Sequence, residues 1–343
     1  MSKINLFGKT LSELKEICNA SGMPAFTAKQ IAQWLYQKEI TSIDKMTNIS
    51  KKNRELLSEK YQIELATPLK VQQSVDGTKK YLFIAKGNNY IETAMIPDKD
   101  RKTVCVSSQV GCKMGCTFCM TAKQGFQSNL SAGEILNQYR SIDEFKDITN
   151  LVYMGMGEPF DNIDEVLKSI EILTAEWGYA LSPKRITVSS IGIIPAMKRF
   201  LNECKSHLAI SLHTPFDDER KMLMPVQKIY PVKDVIKEIK SFDFGLQRRV
   251  SFEYIMFNGI NDSKKHVDEL VKLLKGIHCR VNLIRFHPIP DSDLTGSNDD
   301  ILLEFKENLN KKGIIATIRA SRGQDIFAAC GLLSTKELQN GQQ

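Results

Sequence analysis

Hydrophobic positions change their spacing twice along this chain. From residue 10 to about 62 they recur every three or four places. Leu11, Leu14 and Ile17 share one helical face, with Thr10 or Ser12 available as a cap. Ile31, Trp34 and Leu35 share a second face over 27–37, and Leu56 and Leu57 lie in a third segment, 51–61. From 69 to 97 the period shortens to two, which predicts strands at 70–73, 80–85 and 90–96. Asp76-Gly77 and Gly87-Asn88-Asn89 supply the turns between them. Beyond the charged link 98–101, strand-like and helix-like patterns alternate. Strands are predicted at 103–108, 150–154, 185–189, 207–211, 250–256 and 281–286, with a last one at 314–318. The helical faces between and after them include Ile163, Val166, Leu167, Ile170 and Leu173, then Val267, Leu270, Val271 and Leu274, then Ile301, Leu302, Phe305 and Leu309.

Six β-then-α units in a row imply parallel strands joined by right-handed crossovers. The fold class is therefore α/β, and six strands point to a partial, open (β/α)6 barrel. Ligands belong at the C-terminal ends of its strands. The expected domains are a small helical N-terminal accessory domain (1–66), a short antiparallel β connector forming its own small sheet (67–101), the partial barrel (102–320) and a C-terminal tail (321–343). No internal repeat is visible.

Composition changes this picture little. With 343 residues, 42% hydrophobic and 25% charged, the chain reads as an ordinary soluble protein. A formal net charge of +7 leans mildly toward polyanions. Lys51, Lys52, Arg54 and Lys60 could meet phosphate or simply form a solvated helix face. The N-terminus lacks the apolar core of a signal peptide, and no apolar run is long enough to span a bilayer. A cytoplasmic protein is expected.

The eight cysteines matter more. Cys112, Cys116 and Cys119 stand at C-x3-C-x2-C spacing on one short glycine-bearing loop. A [4Fe–4S] cluster normally takes four cysteines, so three leave one iron open for chemistry. A structural zinc site with a fourth ligand from elsewhere is the alternative. The second barrel strand runs into Met154-Gly-Met-Gly-Glu-Pro159, a turn where a ligand can approach backbone and Glu158 can accept from an ammonium group. Ser189, Ser211, His213 and His287 end other strands, as local caps or as the lining of a shared mouth. Cys105 and Cys330 lie apart from the triplet; Cys18, Cys204 and Cys279 read as buried small hydrophobes.

The cysteine loop resembles that of the radical S-adenosylmethionine (SAM) enzymes, whose open iron chelates SAM and whose reduced cluster splits it to a 5′-deoxyadenosyl radical. Cys105-Val-Ser-Ser-Gln-Val-Gly-Cys112, Met154–Pro159, Ser211-Leu-His213, Asn282-Leu-Ile284 and Asp325–Gly331 together resemble the RlmN/Cfr family of radical SAM RNA methyltransferases. The match spans nearly the whole chain. Thr121-Ala-Lys-Gln-Gly-Phe126 is similar to the RlmN branch, which methylates carbon 2 of adenine.

That resemblance implies a set of roles. Cys112, Cys116 and Cys119 would hold one [4Fe–4S] cluster, and Gly157, Glu158, Ser189, Ser211, Leu212, His213 and His287 would contact SAM, two molecules being used per turnover. His287 departs from an asparagine common in the family. Cys330 would carry the methyl group, Cys105 would resolve the RNA adduct through a transient disulfide with Cys330, and Glu92 would accept a proton. The implied partners are 23S rRNA, tRNA and an electron donor such as flavodoxin or ferredoxin, with no membrane and a monomeric chain. The N-terminal domain, Arg319 and Arg322 become candidate RNA contacts. Methylation at carbon 8, the Cfr-like resistance activity, and a zinc-bearing RNA-binding protein without catalysis stand as the alternatives.

Overall fold

One ten-stranded sheet runs through the computed structural model, which describes residues 3–245 and 248–335. Its strands are β1 Lys70–Gln73, β2 Lys79–Ala85, β3 Asn89–Asp98, β4 Arg101–Cys105, β5 Asn150–Tyr153, β6 Ile186–Ser190, β7 His207–Ser211, β8 Val250–Met256, β9 Cys279–Arg285 and β10 Ile315–Ile318. Neighbours in the sheet follow chain order throughout. β4 to β10 are all parallel, the direction that βα crossovers require. β1 to β4 pair antiparallel.

Two expectations change here. The connector strands form no separate sheet: β3 pairs with β4 through Ala94↔Cys105 and Met95↔Val104, so they extend the main sheet. The reason lies in β3 itself, where Tyr90 to Met95 are all buried. A strand buried on both faces belongs inside a large sheet, and simple alternation does not reveal that. The first barrel strand also stops at Cys105 rather than at 108. Residues beyond it leave the ladder and bend toward the second strand's turn, with Ser108 N donating to Met156 O at 2.8 Å.

Helices cover the parallel strands. α5 Ala132–Arg140, α6 Ile163–Thr174, α7 Ile194–Glu203, α9 Val232–Ser241, α10 Lys264–Leu274 and α11 Asp299–Lys311 turn their apolar stripes to the sheet; the short α4 Met120–Gln124 and α8 Asp217–Leu223 flank the cavity described below. At the N-terminus, α1 Leu11–Ala20 starts from Thr10, which forms a capping box with Glu13. α2 Thr27–Ala32 runs into a single wider turn, Gln33–Gln37, and α3 Lys51–Lys60 follows. Leu14, Ile31 and Tyr36 share one continuous apolar core with the barrel helices. Tyr36 packs against Tyr179 at 5.6 Å and Trp177 at 6.0 Å between ring centroids.

Candidate active site

A cavity of about 510 Å³ opens at the C-terminal ends of the parallel strands. Cys112, Cys116 and Cys119 line it, with Gly157 and Glu158 after β5, Ser189 on β6, Ser211 and His213 at the end of β7, and His287 after β9. Cys105 and Cys330 line the same space.

The cysteine loop is folded down by close backbone packing. Gly111 takes a left-handed φ of +70°, and a Cβ there would lie 1.6 Å from the Gly125 carbonyl oxygen. Thr117 N donates to Leu223 O at 3.0 Å. Phe118 packs edge-on to His213 with centroids 4.9 Å apart, so the loop rests on the end of β7. Burial raises all three thiols, Cys112 to about 12, and the neighbouring thiols add to the shift. They are neutral until a metal displaces their protons. Among the described residues no three His, Cys, Asp or Glu side chains converge on a point that could hold a single metal ion. A four-iron cluster asks for something different, one thiolate per iron around a shared space.

Glu158 is fixed on both sides. Its backbone N donates to Gln109 Oε1 at 2.8 Å, and its carboxylate accepts from Phe160 N and Ile191 N at 3.0 Å each. Burial raises its pKa to about 7 even though hydrogen bonds from Ser190 and the two amides pull it down. Gly157 is required because a Cβ would sit 2.5 Å from Gln109 Cβ. His213 also has a left-handed backbone, φ +59°. Its Nδ1 accepts from Ile255 N at 3.0 Å, and burial lowers its pKa to about 3. The ring is therefore neutral, with the proton on Nε2. Leu212 contributes no side chain to the cavity; its carbonyl is held by Arg220 Nε at 3.3 Å.

Sequence reasoning missed two residues here. Arg220, fully buried, donates to the carbonyls of Ile191, Ser211 and Leu212 and to Gln227 Oε1. It ties the ends of β6 and β7 together behind the cavity wall. Glu253 on β8 lines the cavity with Oε2 buried and without a hydrogen-bond partner. That oxygen lies 3.6 Å from Arg319 Nη1. No local motif marks either residue.

Cys105 is buried at the end of β4 beneath Ala328, while Cys330 is exposed. Both thiols face Arg319, which they and Glu253 hold firmly in its charged form. Burial, then Cys330, raises Cys105 to about 12. All eight cysteines are free, so the disulfide implied by the resemblance is not formed in this state. Glu92 is placed differently from the rest. It is not among the residues lining the cavity; its Oε1 pairs with Lys80 Nζ at 2.9 Å and its Oε2 accepts from Ser334 N at 3.0 Å. Arg319 and Arg322 are at the cavity, along with Arg101. On α3, Arg54 is tied to the Asp44 carbonyl, whereas Lys51, Lys52 and Lys60 are exposed.

Comparison with known proteins bears on this arrangement. Residues 106–274 match the radical SAM superfamily, and residues 4–63 match the ribosomal RNA large subunit methyltransferase N-terminal domain. A relative from Phocaeicola vulgatus, named "Probable dual-specificity RNA methyltransferase RlmN", is 57% identical over 98% of this chain and 97% of its own. The chain belongs to the RlmN family of radical SAM RNA methyltransferases. Another RlmN, from Syntrophus aciditrophicus, is 41% identical over 99% of both chains. The crystal structure of a radical SAM methyltransferase from Sphaerobacter thermophilus superposes with a TM-score of 0.88 at 39% identity, covering 96% of this chain and 99% of that one. The radical SAM fold and an RNA-methylating enzyme activity follow from this membership. So do a 4Fe–4S cluster and SAM, and the cavity fits both. It offers three soft thiols, the Glu158 carboxylate, the Glu253 carboxylate paired with Arg319 and the neutral His213 ring.

Proposed function

We propose that this enzyme methylates carbon 2 of an adenine in 23S rRNA and in tRNA, using Cys330 as the methyl carrier. The observation that carries the reading is the meeting of five cysteines in one cavity, from segments up to 225 residues apart (330 − 105). Three thiols suffice for a cluster with an open iron. Two more, Cys105 and Cys330, are then left for chemistry on the substrate.

In this reading Cys112, Cys116 and Cys119 hold the cluster, and Gly157, Glu158, Ser189, Ser211, Leu212, His213 and His287 position SAM. The cofactor pair, when bound and reduced, supplies a 5′-deoxyadenosyl radical. Cys330 first takes a methyl group as a thiolate, by displacement at the sulfonium carbon, leaving S-adenosylhomocysteine. Arg319 lines the cavity with it. The Cys330 methyl group would give up a hydrogen atom to that radical, supplied by a second SAM, and its carbon would bond to adenine C2. The adduct would then lose its C2 proton to a base and one electron to the cluster left oxidised by SAM cleavage. The Cys105 thiolate would attack the Cys330 sulfur, forming a transient disulfide; the C–S electron pair leaves with the base's CH2 group, which takes a proton from solvent to become the methyl group. For Glu92 to receive the proton, its contact with Ser334 must first give way. A base inside a stack cannot reach this cavity, so the adenine must be flipped out. Arg101 and Arg322 at the cavity and the exposed lysines of α3 are proposed phosphate contacts. We further infer a cytoplasmic monomer served by a flavodoxin- or ferredoxin-type donor. Among the described residues no helix is long and apolar enough to cross a membrane.

Product identity tests the reading. The protein is reconstituted without oxygen and supplied with SAM, reductant and unmodified 23S rRNA fragment or tRNA, and nucleosides are analysed by mass spectrometry. 2-Methyladenosine is expected. 8-Methyladenosine would reassign the target carbon, and no methylated adenosine despite SAM cleavage would refute the substrate.

A further inference from the structure

The segment that carries Cys330 is held at both ends by the antiparallel part of the sheet. At its entry, Gly323 N donates to Asp76 Oδ2 at 2.9 Å. Asp325 accepts from Ser74 Oγ at 2.5 Å and from Val75 N at 3.2 Å. Ser74, Val75 and Asp76 form the turn between β1 and β2. At its exit, Ser334 N donates to Glu92 Oε2 at 3.0 Å, and Thr335 N donates to Gln124 Oε1 at 2.9 Å. Glu92 is backed by Lys80 of β2. Between these points the backbone is forced. Gly323 (φ +62°) has Thr78 Cγ2 2.8 Å from where a Cβ would be, and Phe327 takes a left-handed φ of +54° although it is bulky and 65% exposed. Ala328 of this segment closes over Cys105, against Ala94.

We propose that strands β1–β3 are the positioning frame of the Cys330 segment: the 74–76 turn clasps its entry, and Glu92 with Lys80, aided by Gln124, clasps its exit. The closed segment presents Cys330 to the cavity and keeps Cys105 covered. The entry clasp ends on the exposed Asp325, whereas Glu92 and Lys80 at the exit are buried, so the entry clasp releases at lower cost than the exit or an apolar core, and Cys105 is uncovered by opening it without unfolding the sheet. Lys80, Ser74, Asp76 and Asp325 are thus positioning residues, acting through Cys330 and Cys105. The functional meaning rests on Cys330 and Cys105 being the working thiols; the clasp itself does not.

Thiol labelling in the cluster-loaded full chain tests it. Maleimide modification of Cys105 is followed by peptide mass spectrometry, alongside hydrogen exchange at the Ala328 amide, which donates to Gly323 O. Asp325→Ala is expected to speed both by about tenfold, the scale of losing a hydrogen bond to a charged acceptor. Labelling of Cys204, buried elsewhere in the core, and the melting temperature stay at wild-type values. RNA methylation falls in kcat with KM for SAM unchanged, and Asp325→Asn, which keeps one acceptor oxygen, recovers part of it. If Asp325→Ala melts early, Ser74→Ala removes the hydroxyl donor alone and should show a smaller rise at Cys105. Unchanged Cys105 labelling in Ser74→Ala, Asp325→Ala and the Asp76→Ala, Asp325→Ala double variant overturns the clasp. A labelling response in an enzyme that makes no methylated adenosine would refute the proposed function and leave the clasp standing.

Discussion

Two segments bring sulfur to the cavity, and they are held in opposite ways. The 111–119 loop is wedged by backbone against backbone: Gly111 lies against Gly125, Thr117 is bonded to Leu223, and Phe118 is set into apolar contacts with His213 and Phe257. The Cys330 segment is tied by side-chain carboxylates and amides, and its cysteine is exposed. Wedged backbone has one arrangement; with the proposed clasps the tied backbone has two, closed and released. A loop that holds a cluster needs the first property. The segment of Cys330, the proposed methyl carrier between SAM and RNA, needs the second.

The largest expected effect breaks the wedged side. Cys116→Ser should lose the cluster and essentially all turnover, while thermal unfolding stays cooperative; iron and sulfide analysis with visible absorbance checks it. Next comes the tied side. Cys105→Ala should stop release and accumulate protein joined to RNA through Cys330, seen as an RNase-sensitive band shift absent from the Cys105→Ala, Cys330→Ala double variant. An intact cluster without such an adduct would remove Cys105 from the mechanism. The wedge itself is tested by Gly111→Ala, which faces both a backbone clash and a left-handed φ. It should cost about 3 kcal/mol of stability in chemical denaturation. A comparable loss is not expected from Asp325→Ala, and equal losses would erase the contrast.

The smallest effect is a pH dependence. The Glu158 carboxyl, raised to about 7 by burial, is mostly protonated at pH 6 and mostly ionised at pH 8. In the proposed site only the ionised form would attract the ammonium group of SAM. SAM affinity should therefore fall about tenfold from pH 8 to pH 6, as the ionised fraction of a carboxyl with a pKa of about 7 falls by that factor. Calorimetry on the cluster-loaded protein reads it, and Glu158→Gln should flatten the slope. His213, lowered to about 3, stays neutral across this window and adds nothing to it.

Much of this architecture was legible along the chain. The predicted strands 207–211 and 250–256 match β7 and β8 to the residue, because a buried parallel strand concentrates apolar residues, here Leu208–Ile210 and Tyr254–Met256, in a short run. The cysteine triplet and the Gly-x-Gly-Glu turn were equally plain, since each is one short segment whose spacing is its geometry. What misled was the edge of the sheet. The strands at 70–96 looked like a separate connector because alternation reports period and says nothing about which strand comes next to which. Pairing of β3 with β4 was decided by burial on both faces of 90–95, a property of the assembled core.

The sequence by itself determined the alternation of β and α, the three-cysteine loop and the fact that two further cysteines needed an explanation. These depend on residues a few places apart. Only the tertiary structure placed Cys105 under Ala328, braced the cavity wall with Arg220, set Glu253 beside Arg319 at the cavity, and turned Glu92 toward Lys80 and Ser334. Those relations join residues that are far apart along the chain, 242 positions in the case of Glu92 and Ser334. They are set by strand register and loop closure across the whole sheet, which no local pattern of side chains encodes.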